Sequence, residues 1–341
     1  MHVLITGGAG YVGAVLTPQL LDAGHRVTVV DLCWYGTDVL PEHDHLTLAR
    51  IDLRDTDAVS RVFADAADAG HPVDSVIHLA CVSNDPSFEL DPDLGKSINM
   101  DAFEPLVDAA IDAGVGRFIY ASSSSVYGVS DQPDVTEDHP LNPLTDYSRF
   151  KAQCEPILLG KASDTFTPVV IRPATVCGYS PRQRLDVIVN ILTNHAVHNR
   201  KIRIFGGDQL RPNIHINDMC DCYELLLKLP AEQVTGKTWN AGYHNHSVTD
   251  IAHMVKDTVE AERPDLAPIA FSVEPTDDPR SYHVNSDKIA RDIGFTPKRT
   301  IEDAVRGLVA AMSDGRLPDA MTDPKYFNVK IMNDLEVPAG G

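Results

Sequence analysis

The sequence predicts an α/β protein in which a doubly wound parallel sheet is followed by a smaller mixed α/β domain. Three observations in the 341-residue chain support this prediction. Short apolar runs alternate with helical patterns in the first half, which is typical of βαβ units. A glycine-rich turn joins the first run to the first helical pattern, and the alternation becomes irregular after Pro173. We therefore predict one domain at 1–174 and a second mainly at 175–341, with about 201–240 returning to the first.

The individual elements follow from the spacing of apolar residues. Short apolar runs predict strands at 2–6, 26–31, 46–52, 75–80, 117–122 and 168–172. Between them, apolar residues at helical spacing predict helices at 11–23, 55–67, 93–113 and 145–159. In the second domain we predict helices at about 185–198, 216–229, 248–259, 285–293 and 301–312, and a strand at 201–205. The last ~25 residues contain Pro, Asp and Gly and are expected to wrap the surface.

The charge balance argues against polyanionic partners. Lys and Arg number 29 against 49 Asp and Glu, a formal net charge of −20, which would repel nucleic acid and anionic membranes. An anionic small molecule stays possible if arginines gather in one pocket. The N-terminus lacks the pattern of a signal peptide, and no stretch approaches the ~20 apolar residues of a membrane span. We expect a cytoplasmic protein with neither nucleic acid nor membrane as partner.

The cysteines indicate neither a disulfide framework nor a metal site. The six are scattered along the chain, and the one close pair, Cys220 and Cys222, lies in an apolar helical run without a second pair elsewhere. A metal site would need more ligands at suitable spacing. We therefore expect reduced, part-buried thiols and no metal.

The turn Gly7-Gly8-Ala9-Gly10-Tyr11-Val12-Gly13 has the spacing of a Rossmann-type dinucleotide site. Its first glycine permits a tight turn, its second lets the backbone approach a diphosphate, and its third lets the helix pack closely on the strand. The N–H groups at the start of the helix then face the phosphates. The predicted cofactor contacts in this turn are Gly7, Gly10, Tyr11 and Val12.

An acidic residue accompanies this turn at the expected distance. Asp31 lies 18 residues after Gly13, at the end of the second predicted strand, where a carboxylate accepts hydrogen bonds from an adenosine ribose. A carboxylate there would repel a 2′-phosphate, so NAD is favoured over NADP. Asp52 and Leu53, after the third strand, are candidate contacts for adenine. For Asp52, a helix N-cap or a solvated loop position is an equal alternative.

A second set of residues suggests acid–base chemistry. Four serines, Ser122–Ser125, follow the fifth predicted strand, at the sheet edge where open α/β sheets bind ligands. Tyr147 and Lys151 are four residues apart and share a helix face. An ammonium beside a phenol favours the phenolate, so we predict that Lys151 lowers the pKa of Tyr147 toward neutrality. Tyr147 would then be a general base.

With these motifs the chain resembles the extended short-chain dehydrogenases, the NAD-dependent nucleotide-sugar epimerases and dehydratases, over nearly its whole length. The matching segments are TGGAGYVG, HLA at His78–Ala80, SSSSVYG, YSRFK and RPNIHINDM at Arg211–Met219. The resemblance implies that Ser123 hydrogen-bonds the sugar hydroxyl, that Tyr147 is the base and that Lys151 also holds the nicotinamide ribose. It also implies cofactor contacts at Leu79, Ala80 and Asn99.

Departures from the family pattern narrow the reaction. Dehydratases of the family carry an Asp-Glu pair directly after the active hydroxyl residue, whereas this chain has Ser124 and Ser125. Dehydration is therefore not expected. Thr175 stands where many 4-epimerases have an asparagine that contacts a diphosphate. The stretch Arg172–Asn190, RPATVCGYSPRQRLDVIVN, resembles a branch whose members oxidise or epimerise GDP-linked heptoses and related sugars.

The predicted substrate contacts are mostly arginines and hydroxyl residues. By resemblance, Arg211 clamps the diphosphate of a nucleotide sugar, as a guanidinium is suited to do. A second family arginine is missing from its usual segment, and Arg280 is a candidate from a shifted position. His215 is interpreted as structural. The predicted substrate-binding set is Ser83, Ser124, Thr175, Arg182, Arg184, Arg211 and Arg280.

The sequence thus predicts an NAD-dependent nucleotide-sugar epimerase working through a 4-keto intermediate. A 4-dehydrogenase that releases the keto sugar is the alternative within the class, and a non-catalytic dinucleotide sensor is the alternative outside it. An intact set of Ser123, Tyr147 and Lys151 argues against the sensor. The predicted helices at 93–113 and 145–159 are apolar on more than one face, and the family pairs them in a four-helix interface, so we expect a homodimer.

Overall fold

The computed structural model describes residues 1–83, 85–130, 132, 134–276, 281 and 283–334. Its strands are β1 His2–Thr6, β2 Arg26–Val30, β3 Leu46–Ala49, β4 Ser75–His78, β5 Arg117–Ala121, β6 Thr167–Pro173, β7 Thr175–Cys177, β8 Lys201–Phe205, β9 Leu210–His215, β10 Lys237–Ala241, β11 His244–Ser247 and β12 Ala270–Glu274. Its α-helices are α1 Gly13–Asp22, α2 Thr56–Asp68, α3 Asp85–Leu90, α4 Pro92–Lys96, α5 Phe103–Asp112, α6 Asp146–Leu159, α7 Ile188–Asn199, α8 Ile216–Lys228, α9 Ala231–Val234, α10 Val248–Glu262, α11 Asp287–Ile293, α12 Ile301–Ser313 and α13 Asn328–Asp334.

Seven strands form one parallel sheet in the order β10-β6-β5-β4-β1-β2-β3. Every neighbouring pair in this sheet is parallel. The strand order reverses between β1 and β4, which is the switch point of a doubly wound Rossmann-type fold. The predicted fold class is confirmed.

Two hydrophobic layers cover the faces of this sheet. On one face, α1 and α8 pack on strand residues that include Ile5, Ile77 and Trp239. On the other face, α2, α5 and α6 pack on residues that include Val76 and Phe118. Because both faces are buried, the central strands consist of almost continuous apolar runs. This is why sequence patterns located them.

A second core lies beyond β6. Helices α7, α10 and α12 pack on one another and on β8, which forms a parallel pair with β12. Strands β11, β9 and β7 form a separate three-stranded sheet. Residues 216–241 supply α8 and β10 to the large sheet, whereas β8, in the segment predicted to return there, does not. The division at residue 174 stays a prediction.

The structure differs from the sequence prediction in short or polar elements. The helix predicted at 93–113 is divided into α4, a π-helical turn at Ser97–Asp101 and α5. Strand β3, predicted to reach residue 52, ends at Ala49. Strands β7, β9, β10, β11 and β12 were not predicted, because sequences such as LRPNIH and HNHS lack apolar alternation.

The C-terminal segment does more than wrap the surface. Tyr326 is buried, and its carbonyl accepts a hydrogen bond from the backbone of Leu185 at 2.8 Å. Helix α13 then packs on α3, with Met332 in a cluster that includes Phe88. The tail thus reaches a cleft above the large sheet.

The sequence predicts neither a membrane-spanning segment nor a disulfide framework. In the part of the chain that the structure describes, no helix is both long and apolar enough to cross a bilayer. All six cysteines are unpaired, and five of them are buried. Burial raises the pKa of the Cys154 thiol to about 12, which keeps it protonated.

The start of α1 packs closely on the glycine turn, and this contact makes a direct test. A Cβ added at Gly13 would lie 2.5 Å from Gly8 Cα. We expect Gly13→Ala to lower the free energy of unfolding by about 1–3 kcal/mol.

Gly307→Ala is the matched control, since Gly307 lies inside α12 and its added Cβ would be 3.9 Å from Tyr179 Cβ. This change should raise stability by up to about 1 kcal/mol, through helix propensity. Urea unfolding measures both variants. Equal stabilities for the two would contradict the packing argument.

Candidate active site

A cleft of about 400 Å³ lies at the carboxyl ends of the sheet strands, between the large sheet and the C-terminal segment. Ligand sites of open α/β sheets occupy this edge. Most of the predicted site residues line it. They are Gly7, Gly10, Tyr11, Val12, Asp31, Asp52, Leu53, Leu79, Ala80, Ser83, Ser123, Ser124, Tyr147, Lys151, Thr175, Arg182 and Arg184.

The glycine turn is built by close backbone approaches. Gly7 has a positive φ of 75°, and a Cβ there would lie 2.7 Å from the Ala80 nitrogen. The Gly10 nitrogen donates to the Gly7 carbonyl at 3.0 Å, which closes the turn before α1. A side chain at Gly7 would collide with the backbone of the loop after β4, so the turn can take this tight shape only with glycine there.

The Asp31 carboxylate is oriented by two backbone donors. It accepts hydrogen bonds from Ala9 at 3.0 Å and from Cys33 at 2.7 Å. Burial raises the pKa of Asp31 above its ordinary value, while these two hydrogen bonds and the charge of Arg182 act in the opposite direction. The carboxylate thus borders both the glycine turn and the cleft, as a ribose reader requires.

Asp52 pairs with an arginine, which neither of the sequence alternatives for this residue included. Its carboxylate forms a salt bridge with Arg54, with the Oδ2 and Nη2 atoms 2.6 Å apart. Asp55, and not Asp52, caps α2 by accepting from the Ala58 nitrogen. The capping alternative is therefore wrong. Contact between adenine and Asp52 or Leu53 stays a prediction.

Helix α6 presents Tyr147 and Lys151 to the cleft. It begins in a capping box, in which Thr145 accepts from the Ser148 nitrogen and Ser148 accepts from the Thr145 nitrogen. This cap fixes the first turn of the helix, where Tyr147 lies. Opposite, Ser123 Oγ lies 2.9 Å from Ser125 Oγ and accepts from the Ser125 nitrogen at 3.1 Å.

The predicted lowering of the Tyr147 pKa by Lys151 is wrong for the protein without ligand. Burial raises the pKa of Tyr147 far above its ordinary value, and the opposing effects of Arg184 and of a hydrogen bond with Ser123 do not offset it. The Lys151 ammonium instead donates to the Ala121 carbonyl at 2.7 Å and lies 5.0 Å from the centre of the Tyr120 ring.

A buried ion pair lies beneath the serines. Arg172 on β6 and Glu155 on α6 form two hydrogen bonds, of 2.9 and 2.6 Å, with side chains 7% and 4% exposed. Ser122 donates to the same Glu155 carboxylate at 2.6 Å. On its other side, Arg172 donates to Tyr127 at 2.7 Å, and Tyr127 donates to Asn240 on β10 at 2.7 Å. The network joins α6, β6, β10 and the turn that carries Ser123.

Asn99 is not among the residues that line the cleft. It lies in the π-helical turn, where its amide accepts from the Val82 nitrogen at 2.8 Å and donates to the Val82 carbonyl at 3.0 Å. Val82 itself lines the cleft. Asn99 therefore acts on the cleft through the loop that follows β4.

The two arginines of the loop after β7 lie together in the cleft. Arg184 forms a salt bridge with Asp186, at 2.8 Å between Nε and Oδ1, and lies 3.4 Å from Ser83 Oγ. Arg182 donates to Asn328 Oδ1 at 2.5 Å, and its guanidinium carbon is 3.5 Å from the centre of the Tyr35 ring. Two arginines in one pocket meet the condition under which an anionic small molecule stays possible for this acidic protein.

The other predicted substrate residues lie elsewhere. Arg211 is on β9 and donates to the Leu210 carbonyl at 3.0 Å, outside the residues that line the cleft. Arg280 is outside the described residues. His215 caps α8 by accepting from the Asn217 nitrogen at 3.1 Å, which agrees with the structural interpretation.

Several lining residues were missed by the sequence reasoning. They include Trp34, Tyr35, Asp85, Asn328 and Met332. Asp85 accepts a hydrogen bond from Thr145 at 2.6 Å and acts on Tyr147 electrostatically. Asn328 and Met332 lie in a tail whose composition gave no motif, so tertiary contacts alone bring them to the site.

The fold and the cleft together define a Rossmann-type dinucleotide-binding enzyme. Comparison with known proteins gives the family, because the sequence model of the NAD dependent epimerase/dehydratase family matches residues 3–242. The chain belongs to this family. Membership confirms the resemblance to the extended short-chain dehydrogenases, the enzymatic class and the NAD cofactor.

Similar proteins include both epimerases and dehydratases. A UDP-glucose 4-epimerase of Lactobacillus helveticus is 27% identical over 322 residues, covering 89% of this chain and 94% of that protein. A dTDP-glucose 4,6-dehydratase of Shigella flexneri is 25% identical over 342 residues, covering 91% and 92%. The crystal structure of the Bordetella bronchiseptica enzyme WbmG in complex with NAD superposes with a TM-score of 0.76 at 26% identity, covering 94% and 96%.

The residues present fit NAD. No side chain at Gly7 or Gly13 blocks the close backbone contacts of the turn, Gly10 lines the cleft without a side chain, and Asp31 offers a carboxylate suited to ribose hydroxyls. When bound, NAD supplies a hydride acceptor.

The buried ion pair generates a prediction about stability. Glu155→Ala leaves the Arg172 charge buried without its partner, so we expect a loss of about 3–5 kcal/mol in the free energy of unfolding. Chemical denaturation of the purified protein measures it.

Glu104→Ala is the matched control, since Glu104 pairs with Lys161 at 3.0 Å but is 52% exposed. Exposed pairs contribute about 0–1 kcal/mol. Similar losses in the two variants would show that burial does not matter here.

Proposed function

We propose that this protein is an NAD-dependent nucleotide-sugar epimerase that works through a 4-keto intermediate. The observation that carries the proposal is the convergence of Ser123, Tyr147 and Lys151 on the same cleft as the glycine turn. A dinucleotide sensor would need the turn but not a buried phenol facing a hydroxyl cluster. Relatives named as UDP-glucose 4-epimerases support a nucleotide sugar as the substrate.

In the proposed reaction, Tyr147 accepts the proton of the sugar C4 hydroxyl as the C4 hydride leaves, which forms the 4-keto sugar. Ser123 hydrogen-bonds the same hydroxyl. A phenol held protonated by burial must release its proton to solvent before it can act as a base. Positive charge on Lys151 and on the oxidised nicotinamide would favour the phenolate. The base is therefore activated by cofactor binding, and not by Lys151 alone.

The other residues of the cleft are assigned either to the cofactor or to the sugar nucleotide. Gly7, Gly10, Tyr11 and Val12 bind the cofactor diphosphate, and Asp31 binds the adenosine ribose and excludes a 2′-phosphate. Beside them, Leu79, Ala80 and Lys151 face the nicotinamide half. Ser83, Ser124, Thr175 and Arg184 face the sugar nucleotide, whereas Arg211, the diphosphate clamp expected from the sequence, does not line the cleft. Asp52 and Leu53 border adenine, and Asn99 supports the loop at Val82.

Dehydration is disfavoured by the residues beside Ser123. Removal of a hydroxyl group needs a nearby acid to protonate it. Ser124 and Ser125 occupy the two positions where the dehydratases of the family have carboxylic acids, and their hydroxyls are poor acids at neutral pH. Relatives named as dehydratases therefore do not carry the proposal for this chain.

Net oxidation is the second candidate. Epimerisation needs the keto sugar to rotate while its diphosphate stays anchored. Thr175 replaces an anchoring asparagine, and Arg211 is not among the residues that line the cleft. A weak anchor lets the keto sugar leave the enzyme. The enzyme would then be a 4-dehydrogenase, with GDP-heptose as one candidate substrate. Arg184, held by Asp186, can supply the missing anchor, so epimerisation is preferred.

We also infer a homodimer. Helices α5 and α6 pack side by side on one face of the large sheet. On these helices, the apolar residues Ala109, Ile111, Ile157 and Leu159 are only partly buried where they pack on this core. A second copy pairing these helices would cover them in a four-helix interface.

Removing the phenol hydroxyl tests the base. We expect Tyr147→Phe to lower turnover by about 10²–10⁴-fold while NAD binding persists. Tyr179→Phe, a change outside the cleft, is the matched control and should keep the wild-type rate. An unchanged rate in Tyr147→Phe would place the base on another residue.

The reaction itself is tested with panels of UDP-, GDP-, ADP-, CDP- and dTDP-sugars. We expect inversion at C4 in the product NMR spectrum without accumulation of NADH absorbance. Stoichiometric NADH with a 4-keto product, or a requirement for an α-keto acid to recycle the cofactor, would establish the dehydrogenase instead.

Light scattering tests the assembly. At micromolar concentration, the measured mass should be twice that of the chain. Replacing Ile111 and Ile157 by Asp should halve it, because charges would then be buried in the interface. A monomeric wild-type protein would refute the dimer.

A further inference from the structure

Arg182 is a buried cation with incomplete hydrogen bonding. Arg182 is 4% exposed, and its Nη2 atom donates a hydrogen bond to Asn328. Its Nε and Nη1 atoms are buried and have no hydrogen-bond partner among the described residues. Burying such donors without acceptors is costly, more so on a charged group. The cleft therefore holds two guanidinium nitrogen atoms, with three N–H donors between them, in need of acceptors.

Arg184, in the same loop, has the carboxylate partner that Arg182 lacks. Asp186 binds its Nε atom at 2.8 Å. Arg182 has no such carboxylate at salt-bridge distance among the described residues, and instead lies over the Tyr35 ring. Burial lowers the pKa of Arg182 to about 10, so the side chain still carries its charge at neutral pH. Tyr35, Asp186 and Asp31 act on this charge, but the buried Nε and Nη1 donors still lack an acceptor among the described residues, and an anion in the cleft would complete them.

The position of Arg182 indicates which half of the cleft this anion occupies. Tyr35, on which Arg182 stacks, lies four residues after Asp31. The charge of Arg182 also reaches Asp31, whose carboxylate accepts from Ala9 in the glycine turn. Arg184 contacts Ser83 and acts on Tyr147, and its charge also reaches Tyr11 and Tyr35. Of the two arginines, Arg182 is the one that stacks on Tyr35, which places it on the cofactor side of the cleft.

We infer that Arg182 binds the diphosphate of NAD and that Tyr35 and Asn328 hold its guanidinium in place for this contact. This assignment differs from the sequence prediction, which placed Arg182 with the sugar. A guanidinium presents its N–H groups as a planar fork that matches two phosphate oxygens. The inference rests on the NAD-dependent function proposed above but not on the identity of the sugar.

The C-terminal helix becomes part of the cofactor site by this inference. Asn328, the first residue of α13, accepts from Arg182 and donates to Ser83 at 2.8 Å, while its backbone nitrogen donates to Asp186 at 3.1 Å. The position of α13 and that of the Arg182 fork are therefore linked. Asn328→Ala should weaken NAD binding in the same direction as loss of Arg182, but less.

The test is calorimetric titration of the full-length protein, freed of bound nucleotide, with NAD, ADP and adenosine. We expect Arg182→Gln to weaken NAD and ADP binding by about 10–100-fold, the range for a charge-assisted contact, and adenosine binding by less than about threefold. Arg182→Lys, which keeps the charge without the fork, should lie between. Arg184→Gln is the matched control and should leave NAD affinity within about threefold of the wild type.

Thermal unfolding separates a binding role from a structural one. A guanidinium with unsatisfied donors does not stabilise the ligand-free protein, so Arg182→Gln should keep or raise the unfolding temperature without NAD. The rise in this temperature on adding NAD should be smaller than in the wild type. A large drop without NAD, together with an unchanged NAD affinity, would make Arg182 structural and overturn the inference.

Two other outcomes would also overturn it. Equal weakening of adenosine and ADP would mean that Arg182 shapes the adenosine pocket. Normal NAD affinity with weakened UDP or GDP binding to the NAD-loaded enzyme would assign Arg182 to the diphosphate of the sugar nucleotide. Failure of the proposed epimerase reaction alone would leave these titrations unchanged, so the two failures can be told apart.

Discussion

The ion pair between Glu155 and Arg172 fixes the geometry on which the catalytic side of the cleft depends. It joins the helix that carries Tyr147 and Lys151 to the central sheet, and through Ser122 it holds the turn that carries Ser123. Removing two charges from water is costly, and excellent geometry with further hydrogen bonds is what offsets that cost. Here Glu155 is bound by both Arg172 and Ser122, so helix and strand have one favoured relative position.

The two sides of the cleft differ in how completely their buried charged groups are paired or hydrogen-bonded. Beneath the serines, the buried groups are paired in a continuous network. On the cofactor side, the buried Arg182 has two nitrogen atoms without an acceptor among the described residues, and burial raises the pKa of Asp31, which contacts the glycine turn through Ala9. A preorganised catalytic side and a ligand-completed cofactor side suit an enzyme that holds its cofactor through the reaction.

Sequence patterns located six of the seven strands of the large sheet and most of the cleft, because both depend on local signals. Apolar runs marked the buried strands, and glycine spacing marked the turn at Gly7. What the sequence could not show depends on tertiary contacts. The pKa of Tyr147 is controlled by burial rather than by its helix neighbour Lys151. Asn328 reaches the cleft from a tail without a motif, and Arg211 matches a family motif but does not line the cleft.

The central claim is that hydride leaves C4 of the sugar and returns to it without release of the reduced cofactor. It is tested most directly with an accepted nucleotide sugar deuterated at C4, incubated with the enzyme and unlabelled NAD. The account predicts that the inverted product keeps its deuterium at C4 and that no deuterated NADH is found in solution. Deuterium recovered in free NADH, together with a keto sugar, would contradict it.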